Sequence, residues 1–288
     1  MSILSKGIAV VGSTTIDKIV SQHQRIFKIG GATAYAGITY SRHGIGTQVV
    51  SNIAPGDRKI IRRLEQENVV VLDGPTDRTT QFINDIRQHS RRQKILYRAR
   101  SIQLQQLSAV AKRAGALHLG PLHPDDIEPE ALTALNAHNL KIFLDVQGYT
   151  RKVAPPQVSA AVSKHLTSAL KAAHIIKANG AELNLIVDHY QENLTQIMKS
   201  FEIEESVITL GQDGGWVESM RSGKSDFSAQ KVATAVDPTG AGDVFFASYL
   251  VGRFLNNQNI ADACRYAART AARQVSGKYI TFDVLALP

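Results

Sequence analysis

Short runs of β-forming apolar residues alternate along this chain with longer segments whose apolar residues recur at helical spacing, and that alternation restricts the fold more than any other property. The apolar runs predict strands at Ile8–Val11, Gln48–Ile53, Val69–Leu72, Ala116–Leu119, Lys141–Asp145, His174–Lys177 and Ser206–Leu210. Helical spacing predicts helices at Ala32–Arg42, Asp57–Glu67, Leu104–Ala114, Glu128–Ala137, Leu166–Ala172 and Gln191–Ser200. A βαβ rhythm of this kind implies an α/β fold, a doubly wound and mostly parallel sheet covered by helices on both faces. At 288 residues the chain is expected to form one large domain, 1–288.

Two stretches break the rhythm. Thr15–Phe27 and Thr79–Tyr97 alternate polar and apolar residues and are too polar to be buried on both faces, so they are expected to build a small separate β-sheet, a lid or a dimer surface. Residues Gly148–Gln157, with Pro155-Pro156, read as irregular chain.

Several functions are set aside by composition. No run approaches the ~18 apolar residues of a membrane span, and Met1–Thr14 reads as a first strand rather than a signal peptide. One cysteine, Cys264, allows neither an internal disulfide nor a cysteine metal cluster and fits a reducing cytoplasm. A net charge of +8 raises the question of nucleic acid, yet the basic residues fall in short groups (Arg62-Arg63, Arg91-Arg92 with Lys94, Arg98 with Arg100) without interleaved aromatic stackers, so no nucleic-acid partner is expected.

Among phosphate-binding motifs, Ser222-Gly223-Lys224-Ser225 lacks the earlier glycine of a Walker loop, since position 218 is Glu, and Gly240-Ala241-Gly242 has Phe245 where a dinucleotide fingerprint needs its third glycine. The nine histidines show no metal-binding spacing, and His118 and His123 read as loop residues. The stretch Asp237-Pro238-Thr239-Gly240-Ala241-Gly242-Asp243-Val244-Phe245 is different. Its glycines permit a tight turn, and Val244–Leu255 then reads as a helix apolar nearly all round and therefore buried. A glycine turn feeding a helix N-terminus gathers backbone N–H groups and the helix dipole into an anion hole suited to phosphate. A carboxylate at its mouth, Asp243, is unwelcome beside an anion unless it takes a proton from an attacking hydroxyl.

This nonapeptide resembles the C-terminal motif of the ribokinase-like (PfkB) carbohydrate kinase family. Gly30-Gly31 looks like the family's N-terminal di-glycine, Asn179-Gly180-Ala181-Glu182 its NxxE motif, and Thr209-Leu210-Gly211 with Gly214 its nucleotide-contacting turn. The resemblance spans essentially the whole chain. It implies a ribokinase-like fold with a β lid and an ATP- and Mg2+-dependent kinase, with a monovalent cation such as K+ left open. It further implies that Asp243 is the catalytic base, that Gly240, Ala241 and Gly242 form the anion hole, that Asn179, Glu182, Thr209, Gly211 and Gly214 bind the nucleotide, and that Glu182 holds magnesium through water.

For the acceptor, Asp17 resembles the acidic residue that holds sugar hydroxyls, with Gly30, Gly31, Gln147 and Arg151 nearby in the pattern. Gln147 stands where many members have Asn, and Tyr35 where ribokinase has Asn, which argues against ribokinase itself. Phe82 and Asn84 of the lid could touch substrate, and an acceptor already carrying a phosphate would recruit Arg98, Arg100 and Arg151. The expected function is phosphorylation of an alcohol hydroxyl on a small sugar or cyclic polyol such as inositol. The alternatives are a nucleoside kinase of the same fold or a non-catalytic nucleotide or sugar sensor. A homodimer through the lid would use its free strand edges.

Overall fold

The computed structural model describes residues 3–20, 25–87, 90–135 and 140–287. Residues 136 and 137 of an expected helix, 21–24 and 88–89 of the two lid segments, and the side chains of Arg91 and Arg92 lie outside that description. The first apolar run forms β1 (Ile8–Gly12), buried at every position, as a run without polar alternation requires. Next come β2 (Thr15–Val20), β3 (Arg25–Gly30), β4 (Thr47–Val50), β5 (Val69–Leu72), β6 (Thr80–Arg87), β7 (Ser90–Tyr97) and β8 (Ala116–Gly120). They are followed by β9 (Lys141–Asp145), β10 (Arg151–Ala154), β11 (Gln157–Ala160), β12 (Ile175–Asn179), β13 (Glu205–Thr209), β14 (Gly215–Ser219), β15 (Gly223–Phe227) and β16 (Ala286–Leu287).

A nine-stranded sheet runs β15-β14-β13-β12-β9-β8-β1-β4-β5. From β13 to β5 its pairings are parallel, while β14 and β15 add an antiparallel edge. The chain winds outward from β1 through β4 and β5, then restarts on the other side with β8. The order therefore reverses between β1 and β8, which opens a crevice at the carboxyl ends of the strands. One helical layer, with Ala32–Arg42 and Ala241–Phe254, packs an apolar core against one face of the sheet. The other, with Leu104–Ala111 and Leu166–Ala172, packs a second core on the opposite face.

The second sheet runs β10-β11-β7-β6-β2-β3-β16, with β2 parallel to β6. Its inner face follows the two-residue period of a strand: Thr15 and Asp17 on β2, and Thr80, Phe82 and Asn84 on β6, are buried, with less buried residues between them. The alternation read from the sequence thus marks which side faces the protein.

Some expectations need correction. The stretch Gly148–Gln157, expected to be irregular, instead holds β10 and the Pro155-Pro156 turn into β11; the four-residue strands of this hairpin bury no side fully and so carry no periodic signal. His118 is not a loop residue but a fully buried member of β8, its Nδ1 2.9 Å from the Tyr40 hydroxyl. The helices Gly180–Tyr190 and Ile260–Val275 and the β14–β15 edge were not anticipated. Among the described residues no helix is long and apolar enough to cross a membrane.

Candidate active site

The nonapeptide forms a turn into the helix Ala241–Phe254, with Gly240 as N-cap at φ 76, ψ −2. That left-handed conformation favours glycine, and a Cβ there would also run into the ring of Tyr35, which is buried on the helix Ala32–Arg42. No side chain caps the helix; Ala241 N–H turns back to Pro238 O at 3.2 Å, and the positive end of the helix dipole is directed at the space above Gly242.

Asp237 braces the turn. One of its oxygens accepts the Thr239 N–H at 2.9 Å and the other pairs with the buried ammonium of Lys28, from β3. Burial alone would raise the Asp237 carboxyl, but Lys28 and Thr239 outweigh it and hold it below the usual carboxylate range. Asp237 is therefore a strut of the loop.

Two cavities meet over this helix end. The first, of about 350 Å³, is lined by Asp17, Gly31, Phe82, Gln93, Leu122, Gln147 and Arg151, with Gly240, Gly242 and Asp243 at its floor. Asp17 is 5% exposed, and its Oδ1 accepts the Thr15 hydroxyl at 2.7 Å. Gly30 does not line the cavity: a Cβ there would strike the Asp17 carboxylate, so its bareness makes room for that side chain. Gly31, at φ 92, would push a Cβ into Ser13 O. The two glycines thus shape the wall by yielding to this chain's own atoms. Gln93 donates to Asn84 Oδ1 at 3.0 Å, and Arg151 donates to Leu122 O at 3.3 Å. Arg98 and Arg100 lie outside the cavity, donating to Asp125 O and Asp77 respectively.

The second cavity, of about 500 Å³, is bounded on one side by Asn179, Thr209, Gly211 and Gly214 and on the other by an apolar slot that includes Phe227, Phe245, Ala268, Ala271 and Val275. The Phe227 and Phe245 rings stack with centroids 4.8 Å apart. Asn179 and Thr209 are paired across β12 and β13, which places both at the carboxyl edge of the sheet. Gly214, at φ 84, leaves no room for a Cβ beside Phe227 O. Glu182 lines neither cavity. It closes a capping box, its Oε2 accepting Asn179 N–H at 2.8 Å while Asn179 Oδ1 accepts Glu182 N–H at 2.9 Å.

Lys177 and Gly242 line both cavities. Lys177 is 5% exposed and its Nζ lies 2.8 Å from Asp145 Oδ2; Asp145 Oδ1 accepts the Gln147 N–H at 3.0 Å. Burial opposes the charge on Lys177, but Asp145, Glu182 and Asp243 raise its pKa above the ordinary lysine value. Burial pushes the Asp243 carboxyl up to about 7; Lys177 and Arg151 pull it down while Asp145 and Glu182 push it up. Lys177 was not singled out from the sequence as a site residue, and its pairing with Asp145 was not foreseen. The available signal was a Lys and an Asp inside runs that must be buried on both faces, where an ionised group persists only if paired.

The fold and the paired cavities define an α/β protein in which two cavities meet at one helix N-terminus. The model of the PfkB family of carbohydrate kinases matches residues 5–285, and this chain belongs to that family. Its fold is ribokinase-like. A pyrophosphate-dependent kinase of the ribokinase family, solved with a pyrophosphate analogue and myo-inositol, superposes with TM-score 0.81 at 21% identity over 93% of this chain and 95% of that one. The ribokinase of Thermotoga maritima gives 0.72 at 19% over 94% and 93%. The Burkholderia thailandensis nucleoside kinase solved with inosine gives 0.75 at 16% over 95% and 92%. Comparison with curated protein sequences returned no match.

Proposed function

We propose that this kinase transfers the γ-phosphoryl group of ATP to a hydroxyl of a small neutral polyol, a sugar or a cyclic polyol of the inositol kind. One observation carries the reading: two cavities share a wall at Gly242, and Asp243 stands on the smaller cavity's side of it. The smaller cavity takes the acceptor. Its lining of two carboxylates, two amides, a guanidinium and an ammonium suits several hydroxyls, and among the described residues Phe82 is the one aromatic ring lining it, so it offers no pair of rings to sandwich a nucleobase. The larger cavity takes the donor, and its apolar slot suits a purine ring. Pyrophosphate would leave that slot without purpose.

Asp243 accepts the proton of the attacking hydroxyl, and the turn Gly240–Gly242 presents backbone N–H groups to the transferring charge. Asp17 orients the acceptor, and the second sheet acts as a lid that excludes water. Among the described residues no group of three or more His, Cys, Asp or Glu could cage a metal, which fits magnesium, an ion that keeps much of its own hydration. Glu182 would hold it through water, and when bound it neutralises phosphate charge.

A coupled ADP-release assay with magnesium-ATP against pentoses, hexoses, inositols and nucleosides tests the reading. Turnover confined to polyols supports it; turnover confined to nucleosides, or with pyrophosphate in place of ATP, overturns it. Silence across the panel with ATP binding intact would favour a sensor. Asp17→Asn replaces an acceptor of two hydroxyl hydrogen bonds by a neutral amide and should lower kcat/KM by about 10- to 100-fold, the worth of one charge-assisted hydrogen bond at ~1.5–3 kcal/mol. The loss should appear mainly in KM.

A further inference from the structure

An ammonium buried to 5% exposure inside a parallel strand is costly, and one carboxylate partner is the least that could keep it charged. Lys177 has that partner in Asp145, yet it also forms part of the wall of both cavities. Its Nζ is 3.4 Å from where a Cβ on Gly242 would stand, which sets the ammonium against the anion-hole turn. A lysine serving the core alone would not need to reach both cavities. The register of the sheet also fixes its aim: Lys177 pairs with Asp145 across β12 and β9, and Asp145 is tied in turn to the Gln147 N–H.

We propose that Lys177 is a further catalytic residue of this site, its ammonium meeting the transferring phosphoryl group where the two cavities join, and that Asp145 is the positioning residue that aims it. This rests on the kinase reading above. In the step, an acceptor oxygen forms a bond to the γ-phosphorus while the bond from that phosphorus to the β-phosphate oxygen breaks. The electron pair leaves with ADP and the hydroxyl proton passes to Asp243. Lys177 keeps its own protons throughout; it supplies charge opposite the equatorial oxygens as negative charge gathers there. A fixed cation is worth most in such a place because the surrounding protein does not have to reorganise during the reaction.

The test compares wild type with Lys177→Met and with the double variant Lys177→Met/Asp145→Asn, which removes the buried pair together so that Asp145 is not left as an unpaired charge. Turnover should fall by about 10²- to 10³-fold in both, as for loss of one oriented transition-state donor. Binding supplies a second readout that needs no acceptor. ADP should bind all three proteins alike, whereas the β,γ-imido analogue of ATP, which carries the third phosphate, should bind the variants roughly tenfold more weakly. Asp243 faces Lys177, Asp145, Glu182 and Arg151, so removing Lys177 alone should also move the acid limb of the rate profile to higher pH. A folded double variant with wild-type turnover and undiminished analogue affinity overturns the proposal while leaving the kinase reading intact. Wild-type protein that binds neither nucleotide overturns both.

Discussion

Asp243→Asn should fold, bind ATP and lose turnover by about 10²- to 10⁴-fold, the range that a positioned general base contributes, or roughly 3–5 kcal/mol of barrier. The amide fills the same volume at the start of the helix Ala241–Phe254 but cannot take a proton. The pH dependence of the wild type tests the same assignment. Burial and the neighbouring carboxylates of Asp145 and Glu182 push the Asp243 carboxyl up to about 7, so below that pH the base is already protonated. The rate should therefore fall as pH drops through 7, by about tenfold for each further unit. Stability moves the other way. A carboxyl that binds its proton more tightly in the folded than in the unfolded chain makes the protein lose stability as pH rises from the ordinary carboxylate range through about 7. The Asn variant lacks that loss, and its thermal midpoint at pH 8 should equal or exceed that of the wild type. A variant retaining more than a tenth of wild-type turnover would remove Asp243 from the proton transfer.

Gly240→Ala should be nearly as damaging, for a reason of shape. Its φ of 76 lies where a Cβ costs about 1–2 kcal/mol, and the Cβ would also press into the Tyr35 ring. Tyr35 is walled in by core, so the turn rather than the ring must give way. A shift of a few tenths of an ångström takes the Gly242 N–H off line, and losing one such donor costs about 10²- to 10³-fold in turnover. The thermal midpoint should drop by roughly 2–4 °C for each kcal/mol of strain, measurable by scanning calorimetry. Full activity with an unchanged midpoint would mean that neither the left-handed turn nor Tyr35 holds this loop.

The parallel sheet was legible because its strands are buried on both faces and read as uninterrupted apolar runs, as in β1 and β9. The lid strands were legible for the opposite reason, since one wet face imposes alternation. The site was legible where backbone geometry demands glycine, at Gly31, Gly214 and Gly240. What escaped notice carries its information in tertiary pairing. Lys177 looks like a mere interruption of an apolar strand until β12 and β9 are placed side by side and it meets Asp145. Lys28 and Asp237 are far apart in sequence and meet only when β3 is packed under the turn. The apolar slot of the larger cavity was poorly signposted because Ala268, Ala271 and Ala272 contribute by being small. The reciprocal cap that Glu182 makes with Asn179 is compatible with the expected contact to magnesium through water.

The covering sheet gathers its strands from residues 15–30, 80–97, 151–160 and 286–287. No one of these stretches can form it alone, and each is anchored to the nine-stranded sheet through its own connection. A surface stitched from such scattered pieces closes late in folding, because its three hairpins are joined to one another and to β16 only by pairings across long stretches of chain, β2 with β6, β7 with β11 and β3 with β16. The same loose stitching lets it open locally without melting the core beneath. The sheet over the smaller cavity is thus the part of the molecule with the least independent standing, held in place as much by what lies under it as by its own hydrogen bonds.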